Sequence, residues 1–197
     1  MMIKISIIAI CFSLLFVLLA WFMLPKFLEQ PKYKVVRKEN DIEVRSYDKI
    51  LMSSVKVNGN QYNALRNGFQ PLVRYIGAKG RVSEKISMTA PVIQTTNDET
   101  ENWTVSFAMP SKYNIYNLPK PTNDDIYFEE IQPSLAAVIR FSGVADSSLL
   151  NQKASVLKRW LELNGYTESS SPKFLFYNDP TTPGFLRRNE VMIIIDK

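Results

Sequence analysis

The chain has 197 residues, with 24 Lys and Arg against 19 Asp and Glu, for a formal net charge of +5. It holds no histidine, and its single cysteine, Cys11, lies in an apolar N-terminal stretch. These absences exclude a Cys/His zinc site, a Ser-His-Asp triad, a Cys-His pair and a disulfide from the rest of the chain. The charge, mild and dispersed, gives no basic stripe that would point to nucleic acid.

From Ile5 to Leu24 there is no charge, and only Ser6 and Ser13 interrupt the apolar run. Such a run predicts a helix of about 30 Å, which matches the hydrocarbon core of a bilayer. Trp21 and Phe22 suit an interface, and Pro25-Lys26 closes the segment. Leu18-Leu19-Ala20 is the nearest approach to a small-x-small cleavage pattern, so an uncleaved anchor is favoured over a removed signal peptide. Residues 1–30 are therefore expected to be a membrane anchor or uncleaved signal segment, and residues 31–197 one globular domain. Lys26, Lys32, Lys34, Arg37 and Lys38 pull towards a cytoplasmic domain. The short N-terminus and signal-like run pull towards export, and a domain on the periplasmic side is the expectation.

Tyr33–Lys38 and Ile42–Val57 read as strands around the turn Glu39-Asn40-Asp41. Asn58-Gly59-Asn60 then breaks the chain and offers a helix N-cap. Over residues 61–77, Tyr62, Leu65, Phe69, Leu72, Val73 and Ile76 recur at helical spacing, although Gly68 and Pro71 both weaken a helix. Arg66, Gln70 and Arg74 lie along the flank of that stripe. Ile86 to Val92 reads as the start of a strand, with Ile86, Met88 and Ala90 on one face and Ser87, Thr89 and Pro91 on the other. The small residues Ser87, Thr89 and Ala90 leave space above them, either for an ordinary packed helix or for the wall of a cleft.

Trp103–Met109 reads as a further strand, followed by an ordered loop over 111–125. Ile126–Ile131 and Leu135–Phe141 are predicted strands. Residues 146–164 form a helix that buries Leu149, Leu150, Ala154, Leu157, Trp160 and Leu161. Phe174–Tyr177 and Glu190–Ile195 close the chain as strands, separated by a Pro-rich loop over 178–188. Strand–strand–helix–strand–strand occurs twice, which predicts an α+β architecture: an eight-stranded antiparallel sheet curled towards a barrel, with two covering helices.

Several short motifs in this order resemble the SOUL family of haem-binding proteins. They are Ala64-Leu65-Arg66, Met88-Thr89-Ala90-Pro91-Val92, Phe107-Ala108-Met109-Pro110, Val138-Ile139-Arg140-Phe141-Ser142-Gly143, Tyr177-Asn178-Asp179-Pro180 and Arg187-Arg188-Asn189-Glu190-Val191. The resemblance covers residues 33–197 and leaves the N-terminal segment outside. It implies a distorted antiparallel barrel of two βαββ halves with two helices, and it implies binding of haem or a related tetrapyrrole without a general catalytic activity. The tetrapyrrole would lie on the first helix, with Leu65, Phe69, Leu72, Val73 and Ile76 as an apolar floor. Arg66 and Arg74 would pair with propionates, Met88 would line the site, and Arg187 and Arg188 would either close the far edge or pin the last strand. With no histidine in the chain, Tyr62, Tyr75 and Met88 are the nearest iron ligands. Haem held by apolar contact and propionate pairing would suit carriage or buffering.

Two rivals remain at this level. The same duplication resembles effector-binding domains of gyrase-inhibitor and multidrug-sensor type, in which a buried carboxylate among Glu129, Glu130 and Glu190 would bind ligand or serve a small hydrolase. An interaction module that uses the loops 111–125 and 178–186 is the other, with no protein partner specified by the sequence.

Overall fold

The computed structural model describes residues 28–79, 84–96 and 102–196, together with Ser13. The first strands, β1 (Tyr33–Glu39) and β2 (Ile42–Tyr47), form a hairpin, with Asn40 turning the chain at φ 50°. Asparagine tolerates that left-handed conformation better than most residues. β3 (Ile50–Asn58) leads into α1 (Gln61–Ile76), where Asn60 accepts a cap bond from the Asn63 N–H. Pro71 lies inside this one continuous helix.

Next come β4 (Val92–Thr96), β5 (Asn102–Ala108), β6 (Tyr127–Ile131) and β7 (Ser134–Phe141). Helix α2 (Ser147–Leu163) starts at the cap Asp146, whose carboxylate accepts from the Leu149 N–H. Two-residue β8 (Thr167–Glu168), β9 (Lys173–Phe176), a 3-10 turn over Gly184–Leu186 and β10 (Asn189–Asp196) complete the order.

The strands make one sheet in the order β1-β2-β7-β10-β9-β4-β5-β3-β6, and β8 pairs with β10. Every strand pairing is antiparallel. On the outer face α1 packs on β3 and β5, burying Leu72, Tyr75 and Ile76 against Leu51, Val55, Val105 and Phe107. The other helix, α2, packs on β7 and β10, with Leu150, Leu157 and Leu161 against Ile139, Val191 and Ile193. A third cluster joins Tyr47, Met52, Ile93, Ala136, Val138, Leu175 and Met192, drawn from distant strands. Contact between those strands requires the sheet to curl, so its inner face has a core of its own.

The α+β fold with a curled antiparallel sheet and two helices matches the expectation. Ten strands form where eight were predicted, because the predicted stretch Ile42–Val57 divides into β2 and β3 and the two-residue β8 is added, and β1 and β6 remain as edges among the described residues. The strand predicted from Ile86 begins only at Val92. Pro91 has no N–H for a ladder, and ahead of it the Thr89 side chain, not a backbone donor, bonds the Ala108 carbonyl at 2.7 Å.

The expected single membrane span is also corrected. Among the described residues no helix is long and apolar enough to cross a membrane. α1 and α2 have 16 and 17 residues and are polar along one face, short of the roughly 20 apolar residues a span needs. The run Ile5–Leu24, Ser13 apart, lies outside the described residues. The membrane-anchored, exported placement is withdrawn on that finding. Leu28, Glu29 and Gln30, expected in the N-terminal segment, are docked on the domain: Ala90 N–H donates to the Glu29 carbonyl at 2.9 Å.

Candidate functional site

Helix α1 stands unusually close to the sheet. A Cβ added at Gly68 would lie 2.5 Å from Val105 Cγ2, so only glycine fits this approach. The stripe below the helix axis is consumed by the core, whereas Leu65 and Phe69, at its edge, are left half-buried. Phe69 meets Phe107 edge to face, with ring centroids 5.4 Å apart.

Beside this edge β4 and β9 pair in the register Val92↔Phe176. Leu65, Phe69, Val92, Phe176, Ala90 and Tyr177 thereby face one cleft of about 620 Å³. That volume is well within the usual range for small-molecule sites, about 300–1,000 Å³. Leu28, Tyr62 and Met88 extend its apolar lining, and the turn Asn178–Pro180 forms its far wall. Tyr62 and Met88 are 74% and 51% exposed, so no core packing competes for them.

Arg66 is the cation in the lining and is exposed at the rim, one turn from Gln70. The anion, Asp179, is turned into its own loop and accepts from Thr181 N–H at 2.8 Å, from Thr181 Oγ1, and from Thr182 Oγ1 at 3.1 Å. Burial pushes its carboxyl up, yet these bonds hold it below the usual carboxylate range.

Behind Tyr177 lies a buried ionic network. Its hydroxyl donates to Glu190 Oε2 at 2.8 Å. Arg45 and Arg188 both reach the same carboxylate, and Arg188 stacks on the Tyr177 ring at 3.7 Å. Burial, with the Glu190 charge, pushes the Tyr177 phenol well above its ordinary range. Burial raises the Glu190 carboxyl too, but the two guanidiniums override it and the net shift is downward.

Of the residues expected at the site, Leu65, Arg66, Phe69 and Met88 come together in the cleft. Leu72 and Ile76 are buried in the core, and Val73 packs against it. Arg74 lies exposed in the last turn of α1, outside the cleft lining. Arg187 donates to the carbonyls of Thr182 and Pro180, at 2.7 and 2.6 Å, and holds the far wall from behind. Arg188 is tied to Glu190 and Gln30, which is the pinning role. Tyr75 is buried with its hydroxyl donating to the Pro119 carbonyl at 2.9 Å, away from the cleft.

Sequence reasoning did not foresee Leu28, Val92, Phe176 and Tyr177 as lining. The pairing of β4 with β9 joins residues far apart in the chain, and no local pattern announces it. Of the acids, Glu190 is fully paired and Glu130 bonds Lys49 at the surface, so neither is an isolated base. Glu129 accepts from Ser54 at 2.9 Å on the inner face, away from this cleft.

Comparison with known proteins bears on the family and the fold. The SOUL heme-binding protein family pattern matches residues 28–194. Heme-binding protein 1 of Xenopus laevis is 29% identical over 177 residues, covering 85% of this chain and 92% of its own. Among solved structures the chain is similar to the EcmrR C-terminal domain, with a TM-score of 0.60 at 14% identity over 84% of this chain and 98% of that one. A hydrolase from Listeria innocua gives 0.55 at 10% identity over 82% and 94%. At such identities the two structures speak for the fold alone.

Proposed function

The chain belongs to the SOUL heme-binding protein family, and from that premise we propose that it binds haem in the cleft between α1 and the β4–β9 pair, as a non-catalytic carrier or buffer. The binding domain is proposed to run from about residue 28 to 197. The observation that carries the reading is the juxtaposition of an apolar cleft with the exposed Arg66 on its rim, which makes no ion pair among the described residues.

The residues fit the group. Leu65, Phe69, Val92 and Phe176 offer a plane of apolar side chains to a flat ring, and burial of such surface contributes about 25 cal/mol per Å². Arg66 is proposed to pair with a propionate. Because it is exposed, that pair is expected to contribute only about 0.5–1 kcal/mol. Haem, when bound, would supply a Lewis-acidic iron centre, and the sulfur of Met88 and the phenol of Tyr62 are lining groups that would be candidates to ligate it. Without histidine, and with both of these exposed, apolar contact rather than iron ligation is proposed to dominate. That favours exchangeable binding over tight redox tuning.

The test is an absorbance titration of the full chain with haem, comparing wild type, Met88→Leu and Met88→Glu. Met88 is exposed, so neither change disturbs the core. Saturable one-to-one binding, retained in Met88→Leu and weakened about tenfold or more in Met88→Glu, supports the reading. Equal affinity for all three would move the ligand out of this cleft.

A further inference from the structure

The inner face of the curled sheet holds a second cavity, of about 400 Å³, on the side of the sheet away from both helices. The apolar part of its wall, Met52, Ile93, Ile131, Met192 and Ile194, comes from four strands, β3, β4, β6 and β10, so the space is held by sheet registers and not by a loop. Lys173, in the middle of the sheet between Met192 on β10 and Thr95 on β4, projects into it. Lys173 is half-buried, yet among the described residues no ion pair or hydrogen bond engages its ammonium group. Burial depresses its pKa, against the opposing pull of the Glu129 carboxylate.

Glu129, also in the lining, acts on the lysine through its charge but makes no ion pair with it. Its Oε1 accepts from Ser54 at 2.9 Å, and Ser54 in turn bonds Ser106 at 2.7 Å. A second cation, Lys56, stands over the Tyr127 ring at 6.0 Å. The cavity lining thus holds two ammonium groups against one carboxylate that already has a donor. A half-buried ammonium costs free energy unless a partner arrives, and here the space for the partner is present and its walls are greasy.

We propose that this inner cavity is a second ligand site, separate from the haem cleft, for a small amphiphilic organic anion, with Lys173 receiving the anionic head and the Met/Ile walls receiving the apolar body. Lys173 is a binding residue in this site. Glu129 sets a polarity that admits a single anionic group near Lys173 and opposes a second charge beside it.

The probe is 8-anilinonaphthalene-1-sulfonate, an apolar aromatic anion, titrated into the purified full chain and followed on the methyl resonances of Met and Ile. Rhodamine 6G, an apolar cation, is the contrast, and Lys173→Met and Lys173→Arg are the variants. Saturable shifts are expected at Met52, Ile93, Ile131, Met192 and Ile194. Lys173→Met should weaken binding roughly tenfold or more with the other methyl shifts unchanged, and Lys173→Arg should largely restore it. Shifts confined to Met88, equal affinity in Lys173→Met, or tighter binding of rhodamine 6G on the inner face would each overturn the proposal.

Discussion

Arg45 presents Nη1 and Nη2 to the two carboxylate oxygens of Glu190 at 2.8 and 3.0 Å, and the Glu190 side chain has no exposure to solvent. The pair ties β2 to β10 across β7, which lies between them. It also sets the position of Tyr177, whose hydroxyl donates to the same carboxylate and which lines the cleft beside α1. A charge network on the inner face therefore supports an apolar wall.

Truncating one partner leaves the other charged and buried. Glu190→Ala or Arg45→Ala is expected to cost about 3–5 kcal/mol in urea unfolding, whereas a joint apolar replacement, Arg45→Met with Glu190→Leu, should cost much less than the two single changes summed. Additive losses would contradict the coupling.

The same network sets the pH range of stability. Glu190 titrates below its ordinary value of 4.5 in the folded protein, so its contribution is complete above that value and is lost as pH falls through the lowered one. Burial pushes Tyr47 from 10.0 up to about 12, so its neutral form stabilises the fold below pH 10.0 and that contribution is lost as pH rises towards about 12. Melting temperature should thus fall on both sides of neutrality. Glu190→Gln should flatten the acid limb and Tyr47→Phe the alkaline one, and unchanged limbs in these variants would refute the assignment.

Gly68 tests the seating of α1. Alanine gains about 1 kcal/mol in helix propensity, but its Cβ would lie 2.6 Å from Val105 Cβ. Overpacking of this kind costs about 1–3 kcal/mol, so Gly68→Ala should be neutral to destabilising by about 2 kcal/mol. Any gain in chemical-denaturation stability would show that the helix is not pressed on β5.

Arg66 and Arg188 should separate binding from folding. Arg66→Ala is expected to leave melting temperature nearly unchanged and to weaken haem about two- to fivefold, in line with an exposed ion pair. Arg188→Ala removes a half-buried partner of the buried Glu190 and should lower stability by about 2–4 kcal/mol. The reverse pattern would restore the view that Arg188 clamps a propionate.

Much of the architecture was legible. The alternation of Trp103, Val105 and Phe107, and the stripe Leu65, Phe69, Leu72 and Ile76, reflect local periods that sequence displays. Which members of the stripe stay available to a ligand was not legible. Leu72 and Ile76 share the period of Leu65 and Phe69, and only the close seating of α1 at Gly68 decides which pair the core takes. Arg187 and Arg188 illustrate the same limit: a guanidinium in a loop reads as free until the carbonyls of Pro180 and Thr182, or the carboxylate of Glu190, are seen to hold it. The small residues Thr89 and Ala90 did mark a cleft wall, although the strand expected there begins later.

The most direct test of the account is a paired titration of the full chain with haem and with iron-free protoporphyrin, followed by tryptophan quenching and absorbance. Binding by apolar contact and a propionate pair predicts saturable one-to-one association of both, with affinities within about tenfold of each other, roughly 1.4 kcal/mol. Haem bound far more tightly than protoporphyrin, with a sharp Soret shift abolished in Tyr62→Phe or Met88→Leu, would contradict it and make iron ligation the principal force.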